Sequence, residues 1–234
     1  MPTVEIDYTP RKEQRELHKL LDAKRFVVAV CHRRMGKSVS AINHLLRAAV
    51  TCKRDRPRFA YIGPTYRQAK AVIWDYAKYY CSAVPGVVFN QSELRIDFPN
   101  GAQIRVYGGD NPDSLRGIYL DGVVVDEYGI MDGELFSTVL RPALADRQGW
   151  ALFLGTPNGK NQFYDLYESA RLDTTGQWAA VMHKVSETGI LPQHELEAAR
   201  RDMTEDEYAQ EFECSFSASV KGAIYGKELD AARS

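Results

Sequence analysis

Three short segments of this 234-residue sequence carry residue types that do phosphate chemistry when they converge. The first is Arg33-Arg34-Met35-Gly36-Lys37-Ser38. Gly36 lets backbone come close to a phosphate, Lys37 is a mobile cation for β and γ phosphates, and the Ser38 hydroxyl suits Mg²⁺. Arg34 and Met35 complete the loop, and a helix opening at Lys37 would add backbone N–H donors and a favourable dipole. Cys31 stands where the strict pattern has glycine, so an ordinary turn before a helix remains an alternative. The second segment is an apolar run from Gly122 to Val125 that ends in Asp126 and Glu127. An acid at a strand tip can hold Mg²⁺ through water, and the next acid can orient water for attack on a γ-phosphate. A pair that merely caps a strand end is the plainer alternative. The third is Gly155-Thr156-Pro157-Asn158, whose Thr156 and Asn158 can hydrogen-bond a γ-phosphate or the attacking water. Its plainer reading is a turn.

These segments need elements that bring them together. Residues 26–31 are nearly all apolar, as in a strand buried on both faces. A helix is predicted over 37–50, a strand over 58–63 and a helix over 66–80. Residues 93–98 and 102–107 alternate apolar and polar around Asn100-Gly101, a strong hairpin signal. Buried strands are predicted at 122–126 and 150–155. Helices follow over 161–170, 193–202 and 205–213, with 178–183 as one further strand. Strands alternating with helices predict an α/β fold with a mainly parallel sheet flanked by helices. In such a sheet the three segments share one edge. The core is predicted to span 1–175, a small helical lid or linker subdomain 176–220, and the start of a linker 221–234.

Composition narrows the function. Lys and Arg number 30 against 31 Asp and Glu, a net charge of −1, which argues against a nucleic-acid binder held by charge alone. No apolar run approaches the roughly 20 residues that span a bilayer, and no partner membrane is expected. The four cysteines form no CxxC pair, so reduced thiols are expected rather than a zinc site. Together the segments indicate a P-loop NTPase of the additional-strand, catalytic-glutamate type, with ATP and Mg²⁺ as cofactors. A GTP switch is disfavoured because the sequence carries no N-K-x-D-type base reader. A helicase-like or DNA-remodelling ATPase is the alternative. A module that binds nucleotide only structurally is a third reading, opposed by the presence of Lys37, Ser38, Asp126 and Glu127 together.

The order and spacing of these motifs resemble the ATPase motor of tailed-bacteriophage terminase large subunits. Residues 7–14, 63–69 and 114–117 resemble the adenine motif, a helicase-like segment and an arginine-bearing segment of that family. The resemblance implies a motor that hydrolyses ATP to move double-stranded viral DNA into a procapsid. It implies that Gln14 reads the adenine edge, with Tyr8 or Arg11 near the base. It assigns Arg33 to the γ-phosphate in cis and Arg116 to a neighbouring subunit's site in trans, with a surface ion pair as the alternative for Arg116. Gly155, Thr156 and Asn158 match the coupling motif. Implied partners are non-specific double-stranded DNA, a homo-oligomeric ring on the capsid portal, the portal protein and the small terminase subunit. The implied location is the host cytoplasm, with transient docking on the procapsid. The family's usual nuclease needs several acids on a further sheet, and the stretch after Glu213 reads as a linker, so no nuclease activity is expected of this chain. Lys53, Arg54, Arg56 and Arg58 crowd one predicted turn and offer a grip on DNA phosphates, or a solvated basic turn.

Overall fold

The computed structural model describes residues 4–217, so the linker expected at 221–234 lies outside the described residues. Eight strands form one sheet in the order β3-β4-β5-β2-β6-β7-β1-β8. They are β1 (Phe26–Cys31), β2 (Arg58–Gly63), β3 (Val88–Asn90), β4 (Arg95–Asp97), β5 (Gln103–Gly108), β6 (Gly122–Val125), β7 (Trp150–Gly155) and β8 (Trp178–His183). The six strands from β5 to β8 in that order run parallel. β3 and β4 are antiparallel additions beyond β5. β7 stands between β1 and β6, the additional strand that separates the phosphate-loop strand from the acid-bearing one.

Helices cover both faces because the central strands are apolar on both. Along β1, Val27, Ala29 and Cys31 pack into one core layer, and Phe26, Val28 and Val30 into the other. The first layer is closed by α1 (Lys12–Ala23), α2 (Lys37–Thr51) and α3 (Tyr66–Cys81). The second is closed by a π-helix at Leu135–Leu140, α4 (Arg141–Ala143) and α5 (Gln162–Arg171). A smaller cluster, Val185, Tyr208 and Phe212, holds α6 (Val185–Thr188), α7 (Gln193–Asp202) and α8 (Glu205–Glu211) together.

The predicted hairpin is present, turning at Gly101 with φ +82°. β3, α1 and the π-helix are additions that the apolar pattern did not bring out. The helical unit begins later than expected. Residues 178–183 pair with β1 from Phe26↔Trp178 to Cys31↔His183, so this segment belongs to the sheet, and the helical part follows His183. The physical reason is that an unpaired β1 edge would leave a fully buried strand without hydrogen-bond partners on one side.

Candidate active site

The C-terminal ends of β1, β2, β6 and β7 open on one edge of the sheet, where α/β folds place their ligands. A cleft of about 680 Å³ lies there, lined among others by Arg33, Arg34, Lys37, Asp126, Glu127, Thr156 and Asn158. Residues 32–36 join β1 to α2, with Arg34 at φ +67° and Gly36 at φ +91°. A left-handed residue immediately before α2 aims the loop at the helix N-terminus, and glycine adopts that conformation without strain. Met35 is fully buried in the core and does not line the cleft.

Asp126 follows directly on β6, and its N–H donates to Ile62 O at 2.8 Å. Three groups donate to its carboxylate: the Glu127 N–H to Oδ1 at 3.1 Å, the Ser38 hydroxyl to Oδ2 at 3.1 Å, and the Tyr61 hydroxyl to the same Oδ2. Burial and the neighbouring Glu127 push the Asp126 carboxyl up, while Lys37 and the two hydroxyls pull it down.

Glu127 adopts φ +57°, ψ +43°. Successive strand residues point to opposite faces, so continued strand geometry would send Asp126 and Glu127 apart. The left-handed turn breaks that alternation and both acids line the cleft. Positive φ at a non-glycine residue is uncommon and costs energy that the surroundings must supply, a pattern concentrated at functional sites. Here the Thr156 N–H and hydroxyl donate to Glu127 Oε2 at 3.4 and 3.3 Å, and Lys37 Nζ stands 3.4 Å from Oε1. Burial alone would depress the Lys37 pKa, but Glu127 and Asp126 outweigh it and raise it, so the ammonium stays charged. A side chain at Gly155 would crowd Phe163 at 3.2 Å and lie 3.6 Å from the Glu127 backbone, which fits a glycine beside this turn. Asn158 donates weakly to Gly129 O at 3.5 Å, the carbonyl that Asn161 binds at 2.6 Å.

The other predicted residues divide. The Gln14 side chain donates to Gly36 O at 3.0 Å and accepts the Arg11 N–H at 2.9 Å, so both residues sit against the phosphate loop. Tyr8 does not line the cleft. Its hydroxyl meets His18 Nε2 at 3.0 Å in a separate hollow of about 610 Å³ beside α1 and α2. Arg33, 63% exposed, makes a two-pronged ion pair with Glu211 of α8, and its N–H donates to Glu211 O at 2.9 Å. His32 Nε2 lies 2.9 Å from the Thr188 hydroxyl, so the helical unit docks directly on the loop. Arg116, 64% exposed, pairs with Asp113 at 2.8 Å and lies off the cleft. The basic turn sits at the opposite edge, before β2. Arg54 pairs with the buried Asp121 at 2.9 Å, and Arg58 donates to Gly101 O at 3.0 Å, so two of its four cations are engaged within the fold.

Sequence reasoning missed Tyr61 and Glu211. Tyr61 has no signal in the sequence, because only the strand register, which pairs it with Val124, puts Asp126 two residues further on the same face. Glu211 has none either, since its role depends on how the helical unit returns to the loop.

The family profile described as "Terminase large subunit, T4likevirus-type, N-terminal" matches residues 32–229. The large terminase subunit of Escherichia phage T5 is 28% identical over 207 residues, covering 86% of this chain and 46% of that protein. The chain therefore spans about half the length of this relative. Among solved structures, the large terminase ATPase domain of Thermus phage P74-26 superposes with a TM-score of 0.78 at 22% identity, over 90% of this chain and 95% of that one. The large terminase of a second thermophilic bacteriophage, in complex with ADP, superposes with a TM-score of 0.71 at 17% identity, over 88% of this chain and 53% of that one.

Proposed function

Because this chain belongs to the T4likevirus-type terminase large subunits, whose N-terminal part it matches, we propose that it is a Mg²⁺-dependent ATPase that drives double-stranded viral DNA into a procapsid. The observation that carries the reading is one convergence. Lys37, Ser38, Asp126, Glu127 and Thr156 meet within hydrogen-bonding or ion-pairing reach at the end of a parallel sheet. The ADP bound by the second thermophilic phage's large terminase supports a nucleotide in the corresponding cleft.

The residues fit a Mg²⁺ ion. Ser38 Oγ and Asp126 Oδ2 are hard oxygen donors already 3.1 Å apart, and the carboxylate is held in orientation by three donors. Held by Ser38 and Asp126, the ion would supply positive charge that neutralises the charge developing in phosphoryl transfer. The chain's own residues do the rest. Lys37 and the N–H groups at the start of α2 receive the phosphates. Glu127 orients the attacking water, and Thr156 fixes the carboxylate that does so. Gln14, bonded to Gly36 O, would read the adenine edge, with Tyr8 or Arg11 near the base. Arg33 supplies a guanidinium to the γ-phosphate once it exchanges Glu211 for phosphate.

The partners proposed with this reading are double-stranded DNA bound without base specificity, further copies in a ring, the portal protein and the small subunit. The proposed place of action is the host cytoplasm, at the procapsid. Phosphate release from ATP with Mg²⁺, by wild type and Glu127→Gln, tests the hydrolysis. Duplex translocation measured beside strand separation distinguishes packaging from a helicase-like task; strand separation without translocation would overturn the packaging reading.

A further inference from the structure

Tyr61 lies in the middle of β2, and its ring is almost wholly buried. Buried tyrosines usually place the hydroxyl where a partner waits, because an unpaired buried hydroxyl is costly. The parallel register puts Tyr61 beside Val124, so Tyr61, Val124 and Asp126 share the α2 face of the sheet. Strand side chains lean along the strand. The phenol therefore reaches past Val124 to Asp126 Oδ2, the oxygen that also accepts the Ser38 hydroxyl.

We propose that Tyr61 is a positioning residue that presets the Asp126 carboxylate for the divalent cation, a role resting on the nucleotide-hydrolysis reading above. Two donors on one oxygen are more than the carboxylate needs for orientation alone while Ser38 is present. They become necessary when the Ser38 hydroxyl turns to a metal and gives up its bond to Oδ2. Tyr61 then remains the buried side-chain donor on that oxygen, while the Glu127 N–H holds Oδ1. The strand fixes the phenol, so the hold does not depend on loop movement. The hydroxyl also adds a third donor to a buried carboxylate, beside Ser38 and the Glu127 N–H.

The test is Tyr61→Phe, which keeps ring and volume and removes the donor alone. Nucleotide affinity is measured with a fluorescent ADP in Mg²⁺-free buffer and across a Mg²⁺ titration, with turnover followed in the same titration. The expected result is unchanged affinity without Mg²⁺, a half-saturating Mg²⁺ concentration raised about tenfold, and turnover restored at high Mg²⁺. An unshifted Mg²⁺ midpoint overturns the inference. So does an affinity loss that is equal with and without Mg²⁺, because that pattern belongs to a merely structural ring. Melting in Mg²⁺-free buffer checks the fold, and Tyr61→Met carries the same titration if the Phe variant folds poorly. A wild type whose nucleotide affinity ignores Mg²⁺ removes the hydrolysis reading itself, which separates that failure from this one.

Discussion

Lys37 Nζ and Glu127 Oε1 face each other across the cleft at 3.4 Å. On the proposed function, the cation that would receive phosphate is thus engaged by the carboxylate that would orient water. A γ-phosphate entering the cleft would compete with Glu127 for Lys37 and release the carboxylate towards water. Glu127→Gln removes the competitor and the water-orienting charge together. Hydrolysis should fall at least about 100-fold, the lower range for loss of a general base, while ATP binds as tightly as to wild type or tighter. Stopped-assay phosphate release and a dissociation constant from fluorescent ATP check both halves. Lys37→Ala should weaken binding instead, and an unaltered dissociation constant would refute the loop's role.

Thr156 donates to Glu127 Oε2 through both its N–H and its hydroxyl. Thr156→Val keeps the branched shape and the backbone donor but removes the hydroxyl. If that hydroxyl orients Glu127 for water, kcat should drop about tenfold, the order of one hydrogen bond to a charged group, with KM little changed. A change confined to KM would place Thr156 in binding rather than in holding the base.

Arg33 is held by Glu211, a pair between the phosphate loop and the helical unit. Such a partly exposed pair contributes little to stability, yet it sets where the guanidinium points. Glu211→Gln should therefore leave the melting temperature within a few degrees and tighten ATP binding, since phosphate no longer competes with a carboxylate for Arg33. Binding that weakens instead would mean Glu211 supports the loop in its binding conformation. Calorimetric titration with a non-hydrolysable ATP analogue distinguishes the two.

Arg116 is exposed, ion-paired to Asp113 and off the cleft of its own chain. From that position Arg116→Ala should leave nucleotide affinity and turnover of the isolated chain unchanged. A loss that emerges only in assembled rings supports action on a neighbour. Full ring activity in the variant leaves Arg116 as the surface ion pair that its geometry already shows.

Much of this site was legible because it is local. Lys37 and Ser38 follow one apolar run, Asp126 and Glu127 another, and parallel strands must bring both run ends to one edge. The fold class was legible for the same reason: runs such as β1 and β6 are apolar on both faces. Tyr61 was hidden because its contact depends on inter-strand register, which pairs it with Val124 and not with any sequence neighbour. The hollow that Tyr8 enters was hidden because a motif fixes order along the chain, not which hollow a side chain lines. The left-handed turn at Glu127 was invisible too, since glutamate gives no local hint of positive φ.

The hollow that holds Tyr8 supplies a test of stability against pH. His18 and His44 stack with their Nδ1 atoms 3.2 Å apart, and Arg47 Nη2 lies 3.2 Å from His44 Nδ1. Arginine only donates, so His44 Nδ1 accepts from Arg47, and the Tyr8 hydroxyl pairs with His18 Nε2. Both rings are neutral in this arrangement. Burial first, and then Arg47, lowers His18 to about 4 and His44 to about 3. In the unfolded chain both titrate near about 6.5. Below that value the unfolded chain takes up protons that the folded one refuses, so stability is full above about pH 6.5 and declines as pH falls. The slope is at most about 1.4 kcal/mol per pH unit for each histidine, and less for His18, which is the more exposed to solvent of the two. His44→Phe keeps the packing against His18 and Trp150 but removes one titrating group. It should lower stability at about pH 7.5, where an acceptor for Arg47 is lost, yet flatten the decline between about pH 6.5 and 5. Urea midpoints across that window measure the two slopes, and parallel curves for wild type and variant would show that His44 is not the group refusing the proton.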